Sequence, residues 1–277
     1  MDLSTVRVPG AVTTAVMISM IISILLPVGL IIFWSVKTKA RFKNALWGAG
    51  TFIVFAYILE SLMHQIMLRF MGQEAFTALP FYAIYGGLAA GIFEECGRYI
   101  VMRFILQKNL DKKDSIMLGI GHGGVESILL VGIAYISNLV IISTINSGNG
   151  NLLMTGLDET LQAQLVAQIS PLWTTSAATF LIAGFERIFA IAVHICLSYM
   201  VYRSVVNSKP ILLVVAIAAH AILDGVTVTV MQLSGSWVAT EVFLVVFAVI
   251  FVVYTVITYR KDLETAKESE VLTGDQV

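Results

Sequence analysis

The chain has 277 residues, of which 58% are apolar and only 13% charged, about half the usual share of charge in a soluble domain. So few charges could not cover a water-soluble globule of this size, which excludes a cytosolic or secreted domain and makes the chain a polytopic membrane protein with the lipid bilayer as its partner. Its 17 Lys and Arg nearly balance 18 Asp and Glu, with no basic block, so nothing points to nucleic acid.

Apolar windows bounded by polar residues predict seven helices, near 9–36, 45–70, 79–106, 115–145, 172–202, 210–232 and 237–259. Each is long enough for a hydrocarbon core that needs about 20 residues. The fold class is therefore all-α, a single domain of seven transmembrane helices over 1–259. The first window is too long for a signal-peptide core and reads as a retained span, with no cleaved targeting segment. Lys37, Lys39, Arg41 and Lys43 follow that window; Arg103, Lys108, Lys112 and Lys113 follow the third. Arg203 and Lys209 separate the fifth and sixth, and Arg260 and Lys261 follow the seventh. All of these fall on one face, whereas the opposite loops near 71–78, 146–171 and 233–236 hold no Lys or Arg. The positive-inside rule then puts the N-terminus outside and the C-terminus in the cytoplasm. In the outer loop 146–171, Leu157, Leu161, Leu165 and Ile169 recur every four residues, the pattern of a short amphipathic helix acting as a connector or a lid. The polar tail 260–277 is expected to be disordered. Cys96 and Cys196 lie in apolar surroundings and make no disulfide framework.

Ionisable groups inside a bilayer are kept mainly where they pair or work, and here they are concentrated. The third window carries Glu94, Glu95 and Arg98; the fourth His122 and Glu126; the fifth Glu186, Arg187 and His194; the sixth His220 and Asp224. His64 with Glu60 in the second window reads as a structural pair. At about 1.5 Å of rise per residue, the acidic and His positions of windows three to six lie roughly 10–25 Å in from the cytoplasmic ends. They can meet in one buried site. His122 and Glu126 are four apart, as are His220 and Asp224 and again Glu94 and Arg98, so each pair shares a helix face. Arg187 suits an acidic member of the cluster as a partner, and Glu186 suits a metal-facing or supporting position. Three histidines with several carboxylates form a ligand set for Zn²⁺ or another divalent ion, and an extra Glu beside such an ion can act as general base.

The run Phe93-Glu94-Glu95-Cys96-Gly97-Arg98, then Gly121-His122-Gly123-Gly124-Val125-Glu126, then Phe185-Glu186-Arg187 with His194, then His220 with Asp224, resembles the YhfC-type intramembrane metalloproteases. These are grouped with the CAAX-protease and bacteriocin-processing (CPBP) superfamily, together with PrsW and the APH-1 subunit of γ-secretase. The resemblance implies a multi-pass protein of the prokaryotic cell membrane that cuts polypeptides with a transmembrane or membrane-adjacent segment. It implies Glu94 or Glu95 as the group that activates water, with Arg98, Glu186 and Arg187 completing the catalytic set. His122, His194 and His220, with Glu126 or Asp224, would be the ligands of a Zn²⁺-type ion. The spacing Glu-Glu-x-x-Arg is one residue shorter than in the prenyl proteases and closer to PrsW, which leaves open which Glu is the base. Two other readings compete: a non-catalytic scaffold or substrate-holding subunit like APH-1, and a proton-coupled transporter, for which chains of His and carboxylates are also expected. The transporter reading calls for related halves, and the sequence holds no internal repeat.

Overall fold

The computed structural model describes residues 2–274, and among them there is no strand. The helices are α1 (Gly10–Thr38), α2 (Lys43–Met71), α3 (Gln73–Thr77), α4 (Leu79–Ile100), α5 (Lys112–Asn146), α6 (Glu159–Ile169), α7 (Pro171–Thr174), α8 (Ala177–Val206), α9 (Pro210–Ser234) and α10 (Trp237–Gly274). Among the described residues, α1, α2, α5, α8, α9 and α10 are long and apolar enough to cross a membrane. The seventh expected span corresponds to α4, whose length of 22 residues is sufficient but whose last two turns carry Glu94, Glu95 and Arg98. Those charges lower its apolarity and set it apart from the other six. α10 runs through Gly274 and so takes in most of the polar stretch 260–277, of which residues 275–277 lie outside the described residues.

Local chemistry accounts for the helix ends. Gly72 (φ 77°) and Gly235 (φ 61°) take up positive φ after α2 and α9, a conformation that costs glycine nothing. Pro210 opens α9, where its missing N–H is no loss. In the loop 146–171, Asp158 caps α6 by accepting a bond from the Leu161 amide at 2.9 Å. The middle of α2, Phe52–Glu60, is π-helical, a widened turn that often accompanies functional sites.

Two compact units divide the chain. The first comprises Met1–Gly29 and Glu126–Ile188. Its core gathers Leu3, Val8, Val12 and Val16 with Ile142, Ile145, Ile169, Leu172 and Phe180. Asn151 Oδ1 and Asn146 Oδ1 hold the N-terminal strip by accepting from the Leu3 and Val8 amides, each at 2.8 Å. Ser19 Oγ donates to Phe180 O at 2.7 Å.

The second unit comprises Leu30–Val125 and Phe189–Val277. Its main core joins Val101, Met102, Leu118, Val193, Leu197, Val201, Ala216 and Leu223. Small residues let the helices of this unit approach closely, as in membrane helix pairs generally. A methyl group at Gly48 would run into Leu118 O, and one at Gly121 into Ala45 O, so α2 and α5 touch backbone to backbone. Gly87 and Gly91 of α4 face Ala221 O and Ile217 O of α9 in the same way.

Gly121→Val should therefore destabilise the fold by ~3 kcal/mol, the upper end of overpacking penalties, because the obstacle is backbone and cannot swing aside. A thermal melt in detergent checks this, with Gly86→Ala as the control. A methyl at Gly86 meets nothing within 4 Å, and that variant should melt with the wild type.

Candidate metal centre

Five helical segments of the second unit each send polar side chains into one buried cluster. Glu94 and Glu95 are neighbours on α4 and so point about 100° apart. Arg98 is four residues from the first and three from the second, and its fork reaches both. Nη2 donates to Glu94 Oε2 at 3.1 Å, and Nη1 donates to Glu95 Oε1. Glu95, Arg98 and His122 are wholly buried, with Glu94 at 6% and His194 at 6% exposure. Paired carboxylate and guanidinium charges are tolerated at such depth, where a lone charge would not be.

Glu94 is the centre of the group. Its Oε2 lies 2.8 Å from His122 Nε2 and 3.8 Å from His194 Nδ1. Its Oε1 lies 3.9 Å from His220 Nε2. One oxygen of Glu94 and one nitrogen each of His122 and His194 all fall within 4.8 Å of one another. The rings of His122 and His194 are 5.0 Å apart between centroids, and those of His194 and His220 5.6 Å.

Hydrogen bonds decide which nitrogen of each ring faces the centre. The Thr51 hydroxyl donates its one hydrogen to Gly48 O at 2.6 Å, so towards His122 Nδ1 at 2.8 Å it accepts. That places the proton on Nδ1 and leaves Nε2 facing Glu94. The edge of the Phe52 ring, 5.4 Å away, packs against the same imidazole. His220 is anchored in the same sense: Nδ1 donates to Glu95 Oε1 at 2.8 Å, and Nε2 looks to Glu94 and to Asp224 Oδ2 at 3.5 Å. His194 is held differently, its Nδ1 accepting from Arg98 Nη2 at 2.6 Å.

These donors fit a divalent ion. A carboxylate oxygen and imidazole nitrogens are the ligand types of Zn²⁺. A ligating histidine usually has its other nitrogen bound by a supporting group, the part that Thr51 plays for His122. Glu94, His122 and His194 are the residues that could hold the ion.

The remaining residues singled out from the sequence, Glu126, Glu186 and Arg187, belong to the first unit. There Arg187 Nη1 donates to Glu126 Oε1 at 2.8 Å and Nη2 donates to Glu186 Oε1. Glu60 and His64 do pair, Nε2 to Oε1 at 3.2 Å, and Tyr85 OH reaches His64 Nδ1 at 3.1 Å. Sequence reasoning passed over Thr51 and Tyr85. Nothing in the string distinguishes Thr51 from other hydroxyls within spans.

Residues 22–256 match the family model described as YhfC intramembrane metalloprotease. A Bacillus subtilis (strain 168) protein bearing the description "Uncharacterized membrane protein YhfC" is 42% identical over 205 residues, 73% of this chain and 79% of that protein. No solved structure matches the chain.

Removing the Thr51 hydroxyl should release His122 Nδ1 while leaving volume nearly unchanged. Thr51→Val should lower affinity for Zn²⁺ about 10–100-fold, the usual range for losing a supporting partner of a ligating histidine. Thr51→Ser should retain the affinity. A competition titration against a chromophoric chelator separates the two.

Proposed function

Since the chain belongs to the YhfC intramembrane metalloprotease family, we propose that it is an endopeptidase acting on polypeptides with a transmembrane or membrane-adjacent segment. Glu94, His122 and His194 would hold a divalent ion, Zn²⁺ in the first instance. The observation that carries the reading is the Glu94 carboxylate, buried and faced by three imidazoles. Once bound, the ion would polarise a peptide carbonyl and make nearby water more acidic.

The chain's own residues supply the rest. Glu94 takes the proton of the attacking water, because of the Glu pair it is the one that lies beside both His122 and His194. His220 Nε2, 3.9 Å from Glu94 Oε1, carries that proton on to the departing amine. Glu95 positions rather than reacts: its Oε1 is committed to Arg98 and to His220 Nδ1. Arg98 holds both carboxylates and His194 in register.

The order of motifs on successive helices supports grouping the chain with the CAAX-protease superfamily, PrsW and APH-1. We also read α4 as a seventh crossing, its charges satisfied inside the second unit. The one-sided basic loops support an outer N-terminus and a cytoplasmic C-terminus, and the bacterial relative supports a prokaryotic cell membrane. Cysteines introduced at Asn149 and Lys112 should then label from opposite sides of reconstituted vesicles; labelling from one side would overturn this topology.

Purified wild type should hold close to one equivalent of a divalent ion and cut at least one transmembrane polypeptide after reconstitution. Glu94→Gln should abolish cleavage and lower metal content, whereas Glu95→Gln should keep the metal and slow turnover. Metal analysis beside a cleavage panel reads both. A folded wild type that neither takes up Zn²⁺ nor cuts, yet retains a membrane protein partner, would replace this reading with the scaffold.

A further inference from the structure

Beside the cluster lies a cavity of about 380 Å³, within the size range of ligand pockets, about 300–1,000 Å³. Two of its lining residues are carboxylates, Glu60 on α2 and Asp224 on α9. Three more are aromatic: Phe76, Tyr82 and Tyr85, with Phe76 centred 6.1 Å from Tyr82 and 5.7 Å from Tyr85. No Lys or Arg is found among the described residues that line it. His64 spends both nitrogens inside the wall, one on Glu60 and one on Tyr85. Negative charge against π faces is the combination that selects a cation on an aliphatic stem.

Asp224 ties this cavity to the catalytic cluster, since it both lines the cavity and lies 3.5 Å from His220 Nε2. A side chain anchored here brings its own main chain close to that cluster. We propose that the cavity is a specificity pocket for a lysine or arginine side chain of the membrane polypeptide, an inference that rests on the peptidase reading above. A basic residue within a span is costly in lipid, so a pocket that matches its charge and sheathes its stem discriminates strongly against apolar residues.

Gly86 provides the means to test it. It lines the cavity, and a Cβ there meets nothing within 4 Å, so a larger side chain leaves the backbone there without a clash and extends into the space. The full-length protein would be placed in phosphatidylcholine nanodiscs and titrated with fluorescent single-span peptides. These carry one Lys, or norleucine in its place, stepped along the span. Wild type should bind the Lys peptide at its best position about tenfold tighter than the norleucine peptide. Gly86→Leu and Glu60→Gln should each remove that preference, with Gly86→Ala retaining it.

Equal binding of the two peptides by wild type, or a preference that survives Gly86→Leu, would overturn the pocket. So would loss of the preference on adding phosphatidylethanolamine, which would make a lipid amine the occupant. Binding is read without turnover, so a Lys preference in a protein that cuts nothing leaves the pocket standing and removes the peptidase reading. Cleavage without the preference does the reverse.

Discussion

A carboxylate placed in an apolar interior has to have its charge met there, and in the second unit that carboxylate is Glu94. An isolated ion at such depth costs several kcal/mol, so its partners must arrive together or the fold does not close. They come from three helices: Arg98 on α4, His122 on α5 and His194 on α8. The imidazoles must themselves be held, which draws in Thr51 from α2. His220 on α9 joins through Glu95. Helix positions in this unit follow from that chain of obligations as much as from the apolar contacts around it.

Backbone approach is what lets short side chains meet. On α5, Gly119 and Gly123 are four apart and share a face, and both lie against α8, the first 2.6 Å from Ile195 Cα and the second 3.0 Å from His194 Cβ, measured from where a Cβ would sit. Gly121 is two residues from each, on roughly the opposite face, and meets Ala45 of α2. The run of glycines therefore thins α5 on two sides at once. His122, between them, can touch Thr51 on one neighbour while its ring lies 5.0 Å from that of His194 on another.

Much of this was legible in the string. The helical class, most helix positions and the Glu94–Arg98 and His220–Asp224 pairings follow from periodicity, since residues four apart must share a face. The span count was less secure, because the charges that mark α4 as functional also lower its apolarity. Arg98 was legible as the partner of one carboxylate, but its reach to Glu95 and His194 depends on how α4 packs. Thr51 and Glu60 stand at either end of a π-helical stretch, where a 3.6-residue period no longer predicts facing. The Arg187–Glu126 bond joins residues 61 positions apart, and only tertiary structure brings such partners together.

Charge balance bears on why a divalent ion suits this group. Among the described residues, three carboxylates, Glu94, Glu95 and Asp224, contact the histidines, and the Arg98 guanidinium pairs with the first two. With neutral imidazoles, two negative charges are left over. Two protons on the rings would cancel them, and so would one divalent ion, and both remedies draw on the same nitrogens. Binding of an ion there would for that reason be coupled to release of protons. Arg98 sets the size of the imbalance, because its charge is permanent and its planar fork meets three acceptors at once. Without it three carboxylate charges would stand against the rings; with it, two would, the charge that a divalent ion would carry.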